Sequence, residues 1–286
     1  YLRWLSKCDR LPTLSEEYEG PVLMIGEYVV DFFETSFGFE IAQALQSSDF
    51  LRSTNRFIFD REQGGGDAKV GRRILGENIS LIAKPHLKEY NGRRLLGSFE
   101  MDNEGIIPPD EFVLVQKGIL KNKLNNRTLL DSAETANGFG SGPGVLEVNI
   151  SAKSKLEELY RKLIDLAKSA GLEYAILIKS DSSGYFSRFY QINVKDGSQQ
   201  EIQPVYFPGE GARALRNIEA ASDVMQVHDR FSQMPSQNFS ITSYITPSAI
   251  LMNELFLRSL RQNDEPEQED IPKVAGPLER KPDPKN

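Results

Sequence analysis

The apolar runs Val22 to Ile25, Ala175 to Ile178 and Ala249 to Met252 are of strand length. They fall far short of the roughly 20 residues that a membrane-spanning helix needs. Short apolar runs broken by turn residues recur along most of the chain, at Ile79 to Ala83, Phe112 to Val115, Val145 to Ile150 and Phe239 to Ile245. Helical periodicity appears clearly in only two places. Between Glu27 and Leu45, Val30, Phe33, Phe37, Ile41 and Ala44 recur every three or four residues and mark one apolar face. From Leu156 to Ala170, Leu156, Leu159, Leu163, Leu166, Ala167 and Ala170 do the same. Ser151 or Ser154 is expected to cap this second helix, and Gly171 to end it. Many strands with few helices and no regular βαβ alternation predict an α+β fold. Its centre is a large, mostly antiparallel, strand-rich sheet or barrel-like domain with a few packed helices.

Turn chemistry fixes several connections. Gln116-Lys117-Gly118 between two apolar runs predicts a hairpin, and Asp196-Gly197 predicts another between Phe186–Val194 and Glu201–Phe207. Residues 46–78 read as an irregular excursion with one short strand at Arg56 to Phe59, and Gly211 to Ala221 as a short helix. Residues 1–17 are mixed and polar and read as a linker or strap, the domain proper as 18–261, and 262–286 as a disordered acidic, proline-rich tail. The chain opens Tyr1-Leu2-Arg3-Trp4, without methionine or a signal-type stretch, and reads as beginning inside a longer protein.

Composition excludes some chemistries. With 286 residues the chain has 34 Lys and Arg against 41 Asp and Glu, a net charge of −7, so a broad basic face for nucleic acid is disfavoured. Cys8 is the single cysteine and His86 and His228 are the two histidines. An internal disulfide and a cysteine-based zinc site are therefore excluded, and nitrogen ligands are scarce. Neither histidine sits in a triad motif or an HExxH helix.

Three carboxylates, Glu27, Asp31 and Glu34, lie at i, i+4 and i+7 and share one side of the first helix. A solvated face is the expected reading, with an acid/base set as its competitor. Asp102 and Glu104 read as turn residues. The Gly-rich stretch 137–144 lacks the Gly-Lys-Ser/Thr ending of a P-loop, which favours plain loop geometry over phosphate cradling.

Several segments in order resemble the carboxy-terminal domain of the TldD/PmbA family, peptidases once named modulators of DNA gyrase. They are Tyr18-Glu19-Gly20-Pro21-Val22-Leu23; Gly97-Ser98-Phe99 followed by Asp102-Asn103-Glu104-Gly105-Ile106; Val113 through Lys121; Arg127-Thr128; Asn137-Gly138; Arg213 through Ile218; and Thr246-Pro247-Ser248-Ala249-Ile250-Leu251. The resemblance implies a strand-rich domain that follows a separate amino-terminal one. It also implies a homodimer or a heterodimer with a related subunit, enclosing a chamber where peptides or unfolded polypeptides are cut. A cytoplasmic location is the family default, and an exported branch is compatible with the same residues.

In active members of that family the first helix carries His-Glu-x-x-x-His, and a later cysteine completes a zinc site. With Gly38 as register, Glu34 stands at the first histidine, Thr35 at the catalytic glutamate and Phe39 at the second histidine. Phenylalanine has no lone pair for a metal, and one carboxylate does not replace His and Cys ligands. The expectation is therefore a domain with no zinc and no other cofactor, acting as a non-catalytic peptide-binding or partner subunit. Arg127, Thr128, Asn137 and Gly138 are the expected peptide groove. The alternative is a peptidase with a non-standard site, for which Glu34 is the catalytic candidate. Modulation of a DNA enzyme is a third reading, which the acidic charge disfavours.

Overall fold

The structure, a computed structural model, describes residues 8, 10–14, 17–34, 70–125, 135–140, 142–180, 187–207, 211–233 and 239–259. Two sheets carry the fold. In the first, β11 (Gln199–Ile202), β10 (Ser187–Asn193), β9 (Tyr174–Ser180), β1 (Tyr18–Ile25), β16 (Ala249–Ser259), β13 (Ile218–Ser222) and β8 (Lys153–Ser154) lie side by side. Here β12 (Val205–Tyr206) pairs the far end of β16. In the second, the order is β14 (Met225–Gln233), β15 (Phe239–Pro247), β7 (Val145–Ile150), β2 (Ile79–Ala83), β5 (Phe112–Gln116) and β6 (Ile119–Leu120). A small hairpin of β3 (Glu89–Tyr90) and β4 (Arg93–Arg94) stands apart.

Both sheets are open, which decides between the sheet and the barrel in favour of the sheet. Antiparallel pairing dominates, but β1 with β9, β7 with β15 and β8 with β13 are parallel, so both large sheets are mixed.

The continuous apolar runs have a direct cause. Side chains alternate across a strand, and the first sheet is covered on both faces. Val22 and Met24, Ile176 and Ile178, and Ile250 and Met252 point into the main core, where they meet Ile79, Leu81, Val148 and Ile150 of the second sheet. Leu23, Ala175, Leu177, Ala249 and Leu251 point the other way, onto Leu159, Leu163 and Ala167 of α2 (Leu156–Ser169). A strand buried on both sides cannot show polar alternation.

Helix α1 (Glu27–Phe33) packs against β1, β9 and β15 and so touches both sheets. Its buried residues are Val29, Val30, Phe32 and Phe33. Gly26 precedes it at φ 79° and supplies no side-chain cap. The Tyr28 N–H, one of the unpaired donors of the first turn, instead donates to the Ser180 hydroxyl of β9 at 2.6 Å. Glu34 continues the helical backbone at φ −63° and ψ −45°. The rest of the expected helix, to Leu45, and the expected strand at Arg56–Phe59 lie outside the described residues, as does the tail.

Three local expectations are corrected. Helix α2 begins at Leu156 with Lys155 as its N-terminal boundary, and neither Ser151 nor Ser154 caps it. Ser154 is instead committed to β8, beside Ser222 of β13, while Glu158 reaches back to the Lys155 N–H at 3.4 Å. The predicted helix Gly211–Ala221 is a 3₁₀ helix only over Gly211–Asn217, because Ile218–Ser222 pairs with β16. Tertiary pairing overrides local preference there. The β3–β4 hairpin was not expected, although Asn91 (φ 49°) and Gly92 (φ 78°) form the most favourable two-residue turn sequence.

Candidate functional site

The site lies between α1 and β14, the end strand of the second sheet among the described residues. Strand alternation places Gln226, His228 and Arg230 on one face of β14, and these three reach successive positions of the helix. Gln226 Nε2 donates to the Gly26 carbonyl at 2.7 Å. His228 Nδ1 lies 3.8 Å from Glu27 Oε1. Arg230 donates through Nη1 to Glu27 and through Nη2 to Asp31. Its Nε lies 3.5 Å from Glu34 Oε2, a charge contact too long and misaligned for a hydrogen bond, and that buried N–H has no acceptor.

The carboxylate side of α1 is therefore only partly solvated and is ion-paired. Glu27 retains 18% of its side-chain exposure, Glu34 35%, Asp31 46% and Arg230 22%. Burial raises the pKa of Asp31 and Glu34 above the ordinary carboxylate range, and Arg230 pulls against it. Tyr244 on β15, opposite His228 in register, is also buried and stays protonated, with the charge of Glu34 adding to the effect of burial.

Burial depresses the pKa of His228; Glu27 opposes this, and Arg230 and Arg93 reinforce it. At neutral pH the His228–Glu27 approach is thus a contact of a neutral ring with a carboxylate, not an ion pair. The unfolded chain takes up this proton first, so the stability contribution is complete above the unfolded value of 6.5 and is lost as pH falls through the folded value. Melting curves from pH 5 to 7.5 should show wild type gaining on His228→Gln as pH rises towards 6.5. A difference between the two that stays constant with pH contradicts this assignment.

The other face of β14 holds a second cluster. Asp229 accepts from the Ser243 hydroxyl and from the Leu96 N–H at 3.2 Å, and Arg93 lies 3.3 Å from its second oxygen. Arg93 also donates to the Val227 carbonyl. Ser243 Oγ accepts from the Gly97 N–H at 2.9 Å. Ser243 is fully buried and His228 points to the opposite face, so this serine–aspartate pair has no imidazole base. It fastens the Gly97-Ser98-Phe99 segment to the sheet.

Of the residues singled out in the sequence, Glu34 stands in the α1–β14 cluster. Thr35, Phe39, Arg127 and Thr128 lie outside the described residues. Asn137 and Gly138 belong to a different set of contacts, in the loop between β6 and β7. Asn137 Oδ1 accepts from the Asn125 N–H at 2.9 Å, and its Nδ2 donates to the Lys123 carbonyl at 2.8 Å. Gly138, at φ 82°, packs on the backbone of Ile107 and Pro108. Asp102 holds the neighbouring turn by accepting from the N–H groups of Glu104, Ile106 and Gly140, which is the turn role expected of it. His86 lies 2.7 Å from Asp110.

Arg230 was not found by sequence reasoning. Its signal was the alternation of Gln226, His228 and Arg230 in a strand, facing a helix whose one side is acidic. Arg93 was missed with its hairpin.

A zinc ion does not fit what is described here. Zinc sites take thiolate, imidazole and carboxylate ligands at about 2.0–2.3 Å, three or four of them grouped around the ion. On α1 the donors are carboxylate oxygens engaged by a guanidinium, and among the described residues no three His, Cys, Asp or Glu side chains are grouped to hold a metal.

The profile of the PmbA/TldA metallopeptidase C-terminal domain matches residues 20–256. No curated protein matches the chain. Among solved structures, a proposed modulator of DNA gyrase from Thermotoga maritima MSB8 is 17% identical, covers 86% of this chain and 51% of its own, and superposes with a TM-score of 0.54. One described in the same words from Bacteroides thetaiotaomicron VPI-5482 is 14% identical, with 91% and 51% coverage and a TM-score of 0.54. TldE from Thermococcus kodakarensis is 16% identical, with 90% and 54% coverage and a TM-score of 0.51. At these identities the likeness is one of fold, and the chain spans about half the length of each.

Proposed function

The chain belongs to the PmbA/TldD metallopeptidase family through its carboxy-terminal domain, and on that premise we propose that it is a zinc-free member that binds extended peptides. In this reading it is a partner subunit, paired with a second copy or with a related chain. One solved structure of the same fold is named TldE, and that likeness is what supports a paired arrangement in this reading.

The observation that carries the reading is Arg230. It engages Glu27 and Asp31 and faces Glu34, on the helix that the family resemblance aligns with the zinc-ligand motif. The positions of Thr35 and Phe39 offer a hydroxyl and a hydrocarbon ring in place of a carboxylate base and an imidazole. Peptide binding by strand addition is supported by the position of β14 at the end of its sheet among the described residues, with Phe231 69% exposed along it. The groove expected from the sequence, Arg127, Thr128, Asn137 and Gly138, is proposed separately from this edge: Asn137 and Gly138 lie in the loop between β6 and β7, and Arg127 and Thr128 lie outside the described residues.

A second reading keeps activity with Glu34 as a general acid, favoured by its raised pKa and partial exposure. Fluorescence anisotropy of a labelled unstructured peptide, followed by mass spectrometry of the same sample, separates the two. The proposal expects binding without cleavage, unchanged by EDTA. Cleavage that EDTA abolishes contradicts it. Cleavage that survives EDTA and disappears in Glu34→Ala establishes the second reading.

A further inference from the structure

We infer that Arg230 is a built-in counter-cation that compensates the carboxylates of α1 and anchors the helix to β14. The inference deepens the zinc-free reading of this helix, on which it rests, and concerns what holds the helix in place.

Taken alone, α1 is a poor helix. It has seven residues, well below the length at which an isolated helix is stable in water. Its N-cap residue, Gly26, brings no side chain, so its one side-chain cap is the Ser180 hydroxyl of β9, and its last turn has no basic residue. Glu27 and Asp31 are like charges at i, i+4, which repel. Asp31 and Glu34 sit towards the C-terminal end, where the helix dipole disfavours negative charge. An apolar face alone leaves these three charges uncompensated beside the sheet.

One side chain answers all three. The guanidinium of Arg230 turns each of its nitrogens towards a different carboxylate, Nη1 to Glu27, Nη2 to Asp31 and Nε to Glu34. A planar fork of donors suits several carboxylates at once in a way a lysine ammonium does not. The contacts span the helix from its first residue to the one after its last, and they come from a single strand position. Among the described residues the other titratable groups that feel the cluster include His228 on β14, Tyr28 on α1, Tyr244 on β15 and, further off, Arg93 of β4; His228 is neutral at neutral pH and both tyrosines stay protonated, so none of these three offsets the acidic charge. A metal can be withdrawn by a chelator, whereas a cation carried on the chain cannot.

The test is the melting temperature of the full chain in wild type, Arg230→Met, Arg230→Lys and the combination of Arg230→Met with Glu27→Gln and Asp31→Asn. Loss of the cation should lower Tm by roughly 5–10 °C in Arg230→Met. Arg230→Lys should recover part of that loss, and the triple variant most of it. Zinc chloride and EDTA should leave the wild-type Tm unchanged. If Arg230→Met does not fold, recovery of soluble, cooperatively melting protein in the triple variant is the same result. An unchanged Tm in Arg230→Met, a triple variant no better than the single one, or a wild-type Tm raised by zinc overturns the inference. None of these readouts involves peptide, so failure here is distinct from failure of the peptide-binding reading.

Discussion

Gly97→Ala is expected to unfold the domain or to destabilise it by more than about 4 kcal/mol, the range reserved for backbone clashes and broken cores. A Cβ at this position would stand 2.1 Å from the Gly144 carbonyl oxygen and 2.7 Å from the Ser243 amide nitrogen. Those two atoms are themselves hydrogen-bonded at 2.8 Å, so the methyl group would intrude on a main-chain bond between β15 and the loop before β7. Neither atom belongs to a flexible side chain that can swing aside. The Gly97 N–H to Ser243 contact would be lost with it, and Ser243 is tied to Asp229 and through it to Leu96 and Arg93. Ser98→Ala is the control. Its hydroxyl makes one partly buried bond to the Leu95 carbonyl at 3.1 Å, worth about 1 kcal/mol. Urea unfolding of the two variants measures the contrast. A Gly97→Ala protein as stable as Ser98→Ala would show that the segment does not pack as described.

Phe33→Ala is expected to cost about 3–5 kcal/mol, the usual loss for a buried phenylalanine. Phe33 is 1% exposed and is among the largest fully buried side chains. It anchors a seven-residue helix whose opposite side is charged, so the helix has little else apolar to fall back on beyond Val29, Val30 and Phe32. The loss should exceed that of an equally conservative change on α2, such as Leu166→Ala, where Leu166 is only partly buried. Chemical denaturation supplies the magnitude. An equal loss at both positions would mean that α1 is not seated in the core.

The sequence made much of this architecture legible, for identifiable reasons. Strands β2 and β7 were placed at their observed bounds because short β-branched and leucine-rich runs between turn residues have few other uses. The hairpin at Lys117-Gly118 was placed because a glycine-bearing turn separates two apolar runs; both turn residues adopt positive φ, 49° and 76°. Gly97-Ser98-Phe99 and Asn137-Gly138 stood out in a family resemblance before any contact was known, and at Gly97 and Gly138 the reason proves to be backbone packed too close for a Cβ. What stayed hidden was set by partners distant in the chain. No local pattern says that Ser180 will cap α1 across 152 positions, or that Arg230 will meet Glu27 across 203. The acidic stripe on α1 was visible, but its partner was not, so it read as a solvated surface. Ser154 looked like a helix cap until β13 claimed it for a strand pair.

The account turns on whether α1, which the proposal reads as a zinc-free counterpart of the family's ligand helix, is held here by an arginine instead of a metal. Inductively coupled plasma mass spectrometry of the purified full chain, after dialysis against metal-free buffer, addresses this most directly. The account predicts zinc far below one atom per chain. One tightly retained zinc per chain would contradict it.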